Sequence, residues 1–119
     1  MQISSPSIRD ALINALADEY SRKILLDTMH QPKSADELSR VQNIPLSTAY
    51  RRLNEMRDAG ILTVEKTILT NDGKRYELFR SSFRSIRIGL DQTEIIVEVT
   101  LNEDVSTRLS RLWALMREG

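Results

Sequence analysis

An α+β fold is what this sequence predicts, with helices gathered in its first half and strands in its second. Three observations lead there. Apolar residues recur at helical spacing as far as Gly60, and beyond Gly60 the period falls to about two. Two clusters of turn residues, Asn71-Asp72-Gly73 and Asp91 to Glu94, then cut the remainder into paired strands. The 119 residues leave room for one domain with a small extension, and a 40% apolar content supports a core.

The first helix is expected to start at Ser5-Pro6, with Ser as N-cap and Pro at the first helical position, where its missing N–H costs nothing. Ile8, Leu12, Ala15 and Leu16 follow at helical spacing. Asp18 is placed to cap a second helix through Tyr20, Ile24, Leu25 and Met29. That helix stops before Pro32, since the residue preceding a proline is pushed out of the helical region. Ser34 and Glu37 stand three apart as a capping box, each side chain satisfying a backbone N–H of the other, and open a third helix to about Gln42. Asn43 suits a left-handed turn, and Pro45 opens the fourth helix. At 100° per residue, Leu46, Ala49, Leu53 and Met56 form one apolar stripe. Ser47, Arg51, Asn54, Glu55 and Asp58 face the other way, with Thr48, Tyr50 and Arg52 on the flanks. Gly60 falls where a helix ends in a left-handed residue.

Ile61 to Thr70 reads as a strand and Lys74 to Arg80 as its return, with Tyr76 and Leu78 on one face and Lys66, Lys74 and Arg75 near the tip. In a second hairpin, pairing Leu90 with Ile95 sets Ile88 opposite Val97 and Ile86 opposite Val99 on one face, and Arg87 opposite Glu98 on the other. Asn102 is the expected N-cap of a last helix with Val105, Leu109, Leu112 and Met116 in one stripe and Trp113 at its edge. Residues 1–83 therefore read as a helix-turn-helix head with a basic hairpin, and 84–119 as a hairpin-plus-helix element.

Composition narrows the function. No apolar run of about 18 residues occurs to span a membrane, and MQISSPSIRD has neither the basic flank nor the apolar stretch of a signal peptide, so a cytoplasmic setting is expected. Cysteine is absent and His30 is the only histidine. Thiol chemistry is thereby excluded, and metal catalysis finds no ligand set. No glycine-rich phosphate loop and no nucleophile–His–acid set is present. Neither an enzyme nor a cofactor is expected. The formal net charge is zero but unevenly spread. Residues 1–43 hold five basic and six acidic side chains, residues 44–87 nine and five, and residues 88–119 three and six. A basic middle is felt locally, within a Debye length of roughly 8–10 Å, whatever the total.

A helix after a tight turn, carrying two arginines and followed by a basic hairpin, is the winged-helix plan, in which the helix enters the major groove and the hairpin leans on phosphates. Arginine is the usual bidentate partner of guanine. At Ala15-Leu-Ala-Asp-Glu-Tyr-Ser-Arg-Lys-Ile-Leu25 the chain resembles the opening of ArsR-type winged-helix regulators. Pro45-Leu-Ser-Thr-Ala-Tyr-Arg-Arg-Leu53 with Asp58-Ala-Gly-Ile-Leu62 is similar to that family's recognition helix and its exit into the wing. The overall pattern is most similar to small archaeal members and covers about residues 12 to 80. Three departures stand out. Glu19 and Tyr20 replace a commoner Pro-Thr; Gln42 takes a usually apolar turn position, leaving Val41 or Ile44 to pack; and the metal-sensing Cys and His ligands are missing.

The resemblance implies a homodimeric, sequence-specific regulator of transcription on double-stranded DNA. Ser47, Thr48, Arg51 and Arg52 fall where the family contacts DNA. Tyr50 has two readings, groove contact or packing beneath the hairpin. Lys66, Lys74 and Arg75 are the expected phosphate contacts of the wing. Self-association is expected through Ile8 and Leu12 together with Val105, Leu109, Leu112, Trp113 and Met116, since an apolar stripe added to a complete head needs a partner. The alternative is a winged-helix module that docks proteins without a specific DNA site. Operator, effector, and activation or repression leave no mark in the residues.

Overall fold

A computed structural model describes residues 1–102. Its elements run α1 (Pro6–Ala17), α2 (Glu19–Thr28), α3 (Ala35–Gln42), α4 (Leu46–Asp58), β1 (Leu62–Leu69), β2 (Arg75–Ser81), β3 (Phe83–Asp91) and β4 (Glu94–Leu101). The helices start and stop for local reasons. Pro6 takes the first position of α1, although the Ser5 hydroxyl lies against Ser7 and makes no capping bond. Asp18 caps α2 by accepting from the Ser21 N–H at 2.9 Å. The Ser34–Glu37 capping box is complete at the head of α3. Asn43 ends that helix at φ 54°, a left-handed conformation its short side chain tolerates. Gly60, at φ 81°, ends the helical half.

β1 and β2 form one antiparallel pair, β3 and β4 another. Between Val64 and Lys66 the first pair slips by one residue, leaving Glu65 as a bulge, the device by which a strand bends and twists more sharply. The second pair has the register expected from alternation, Leu90 to Ile95, Ile88 to Val97 and Arg87 to Glu98. Each pair gains a short additional partner. Lys33, just ahead of α3, exchanges backbone hydrogen bonds with Phe79 of β2 at 2.9 and 2.8 Å. At the N-terminus the Ile3 N–H donates to Val97 O at 2.8 Å, and the Val99 N–H donates to Met1 O at 2.8 Å.

The two pairs meet at a buried elbow. Ser82 is the single residue between β2 and β3. Its N–H donates to Ile61 O (2.9 Å), its hydroxyl to Gly60 O (2.8 Å), and its carbonyl accepts from the Asn102 N–H (3.0 Å). Arg80 is buried beside it. Nε and Nη2 donate to Met29 O at 3.3 Å each, Nη2 reaches Asn102 Oδ1 at 3.4 Å, and Nη1 pairs with Glu65 at 3.5 Å. Asn102 completes this knot through Nδ2, which donates to Met29 O at 2.8 Å. The helix it is expected to cap lies outside the described residues.

One apolar cluster runs through the molecule. It joins Leu12 of α1, Ile24 and Leu25 of α2, Leu38 of α3, Ala49, Leu53 and Met56 of α4, Phe79 and Phe83, and Val97 and Val99 of the second hairpin. Two expectations change here. Ile8 and Leu12, assigned to a dimer seam, are buried inside the protomer at 4% and 0% exposure and offer no surface to a second copy. Leu46, assigned to the buried stripe of α4, is 43% exposed, because the helix only begins there and its first turn overhangs the core. Val97 and Val99 of the second hairpin share the cluster with Leu12 of α1. The choice at the turn falls to Ile44, which is buried, while Val41 is exposed and Gln42 donates to Asp27 at 3.2 Å.

Candidate nucleic-acid interface

The apolar stripe of α4 orients everything else on that helix. Ala49, Leu53 and Met56 face inward and are all but inaccessible. A residue two positions from a buried one is carried about 200° around the helix, so Ser47, Arg51 and Asn54 are turned to solvent. Tyr50 is exposed and Thr48 half-buried. No intramolecular side-chain partner of Arg51 occurs among the described residues, in contrast to its neighbour.

Arg52 departs from the expected placement. Its guanidinium turns towards the head of α2 and grips Asp18 with two bonds, Nε to Oδ2 at 2.9 Å and Nη2 to Oδ1 at 3.3 Å. Glu55, one turn on, adds a weaker ion pair at 3.7 Å. Partial burial pushes the Asp18 carboxyl up. The Ser21 N–H, the Arg52 guanidinium and the Ser21 hydroxyl outweigh that and hold it below its usual value. Arg57, near the end of α4, reaches Glu77 of β2 at 3.9 Å and ties helix to hairpin.

The β1–β2 hairpin stands beside this face. Its tip is built by Thr70, whose hydroxyl accepts from the Lys74 N–H at 3.1 Å and bonds Asp72; that last contact draws the Asp72 carboxyl below its usual value. Gly73, at φ 82°, closes the turn. Lys74 and Arg75 are exposed at this tip, and Lys66, paired with Leu78 midway along the hairpin, is exposed as well. Between hairpin and helices lies a groove of about 200 Å³, walled by Tyr50 from α4, Asp36 from α3, and Thr67, Arg75 and Tyr76 from the strands. Tyr50 therefore lies beside the wing and remains accessible from the helix face, a position that serves both of its readings.

Of the expected DNA-contact residues, the fold gathers Ser47, Tyr50 and Arg51 on one exposed face, with Thr48 at its border and Lys66, Lys74 and Arg75 on the adjoining hairpin. Arg52 is set aside on the α2 side. Val105, Leu109, Leu112, Trp113 and Met116 lie outside the described residues. Sequence reading misses Arg57 and Arg80, which lock the hairpin to the helices. No local signal marks Arg80, whose alternate neighbours are Leu78 and Ser82.

Among the described residues, no helix is long and apolar enough to cross a membrane. A family model described as a helix-turn-helix domain matches residues 16–65, which span α2, α3, α4 and the start of β1. No curated protein matches the chain. The chain thus carries a helix-turn-helix domain within an α+β fold whose following hairpin is consistent with a winged helix.

Proposed function

We propose that this protein is a sequence-specific, double-stranded-DNA-binding regulator of transcription, of ArsR-like type, that works in the cytoplasm as a homodimer. The observation that carries the reading is the exposed face of α4. Arg51 stands there, its guanidinium engaged by none of the described residues, beside Ser47 and Tyr50 on a helix whose opposite face is locked in the core. A planar fork of donors on a rigid, solvent-facing helix is what reads guanine in the major groove. Thr48 sits in the first turn of α4, where backbone N–H groups meet a phosphate. Lys66, Lys74 and Arg75 add positive charge on a neighbouring projection, within reach of the flanking backbone.

The dimer is assigned to residues 84–119, through Val105, Leu109, Leu112, Trp113 and Met116. Two copies related by a two-fold axis would set their α4 helices about 34 Å apart, one turn of duplex, and so select a pseudo-palindromic site. Titration of duplex DNA at two salt concentrations, combined with selection from random duplexes, tests the reading. A preferred two-fold site and a steep salt slope are expected. A second reading, a protein-docking module, draws on one observation: the tip of the β3–β4 hairpin exposes Leu90 at 86%, with Ile95 at 40% and Ile88 at 38% beside it. No selected site and a flat salt response would transfer the function to that surface.

A further inference from the structure

We infer that Arg52 is a positioning residue that sets the rotation of α4 through Asp18, and that it does not itself touch DNA; the inference rests on the DNA-reading role of α4. The two arginines at 51 and 52 look equivalent in sequence, and the fold gives them different work. Arg51 points outward. Arg52 spends its fork on Asp18 in a bidentate, charge-assisted geometry, with bonds of 2.9 and 3.3 Å.

Asp18 is saturated by this arrangement. Oδ2 accepts from the Ser21 N–H, the Ser21 hydroxyl and Arg52 Nε, and Oδ1 accepts from Arg52 Nη2. One carboxylate therefore caps α2 and holds α4 together. To reach a base or phosphate, Arg52 would have to abandon both bonds and strip the N-cap of its counter-charge. Its side chain is only 25% exposed, and that of Asp18 31%.

The clamp supplies something the core does not. Apart from the long Arg57–Glu77 ion pair near its end, at 3.9 Å, α4 is held by Ala49, Leu53 and Met56, whose contacts are apolar and non-directional. Such packing sets how deeply the helix sits but resists a small rotation about its own axis weakly. A planar fork bound at two points resists that rotation, and it acts near the middle of α4, one residue from Arg51. The angle at which Arg51 meets a base edge is thereby tied to the start of α2.

The test uses the full chain and four variants, R52M, R52K, D18N and D18N/R52M, each verified as folded by its thermal transition. Asn is as good an N-cap as Asp, so D18N keeps the α2 cap and removes the charge. Site selection, affinity for the selected duplex and the slope of log K against log salt are read for each. R52M and D18N are expected to lower affinity on the order of tenfold, the size of a modest coupling between sites. The double variant is expected to be no weaker than either single one, because both remove the same link. R52K, which keeps the charge, is expected to recover part of the loss. Any change in base preference is expected to be the same in R52M and D18N, because both act through Arg51, and the salt slope stays as in the wild type, which simple removal of a DNA-touching side chain does not allow.

A changed base preference in R52M that D18N does not share, or a slope flattened by about 0.9, would make Arg52 a base or phosphate contact and overturn the inference. Wild-type affinity in D18N would overturn it as well. Failure of the wild-type protein to select any duplex is a separate outcome, read before the variants, and it removes the DNA-reading premise together with the inference.

Discussion

Leu53→Ala and Leu46→Ala, two truncations on one stripe of one helix, are expected to differ more than about twofold in cost. Leu53 is completely buried, between Ala49 and Met56 of its own helix and the α2 core. Removing three carbons forfeits about 2.4 kcal/mol of transfer free energy at about 0.8 kcal/mol per methylene. The hole adds to this, because Ala49 one turn earlier is too small to fill it and the start of α3 is pinned by its capping box. The total should reach about 3–4 kcal/mol, within the range seen for buried Leu→Ala changes. Leu46 is 43% exposed at the start of the helix, where the surface can relax around a smaller side chain. Its truncation should cost about 1.4 kcal/mol, from the buried fraction of the residue alone. Urea unfolding followed by circular dichroism, with m unchanged, gives both numbers. Equal costs at the two positions, or less than about 1.5 kcal/mol at Leu53, would refute the placement of α4 on the core.

Other outcomes follow from the same geometry. Ser34→Ala breaks a capping box whose bonds are 3.2 and 3.3 Å long and should lower stability by about 1 kcal/mol in the same urea assay. Asp18 has a folded-state value depressed below the usual 3.8, so its contribution is fully present above that pH and is lost as pH falls through the depressed value. The stability gap between wild type and D18N should accordingly be constant from about pH 5 to 7 and close only below about pH 4; a gap that closes near neutrality would contradict the assignment. Neutralising Lys66, Lys74 and Arg75 together should weaken binding to all duplexes alike and flatten the salt slope by about 0.9 for each phosphate no longer neutralised. An effect confined to one sequence would place these side chains on bases. Leu109→Asp should convert a dimer to a monomer by sedimentation, and an unchanged mass would move the dimer seam elsewhere.

Features set by neighbours in sequence are legible, and those set by distant partners are not. The capping box needs only Ser34 and Glu37, and the left-handed turn only Asn43, so both can be read directly. The β3–β4 register can be read because a slip of one residue in either direction would set Arg87 opposite a valine and Glu98 opposite an isoleucine. Periodicity also shows that Ile8 and Leu12 lie on an apolar face, but it carries no information about what covers that face. The covering is the chain's own core. Arg52 escapes for a related reason: its partner Asp18 lies 34 residues away, and nothing local distinguishes it from Arg51. The strand partners Met1 to Ile3 and Lys33 are invisible because runs so short show no alternation.

The elbow at Ser82 has a mechanical consequence. A connection between two hairpins is ordinarily a compliant loop, able to absorb a displacement on one side before the other feels it. Here it is one residue long, fully buried, and bonded through its amide, hydroxyl and carbonyl. Two of those bonds end on Gly60 and Ile61, where α4 gives way to the first hairpin, and the third holds Asn102, the point from which the remaining chain departs. The joint is therefore stiff. A force applied to the chain at Asn102 is delivered, with little slack to take it up, to the C-terminal end of the helix whose other turns carry Arg51, and to the root of the basic hairpin in the same stroke.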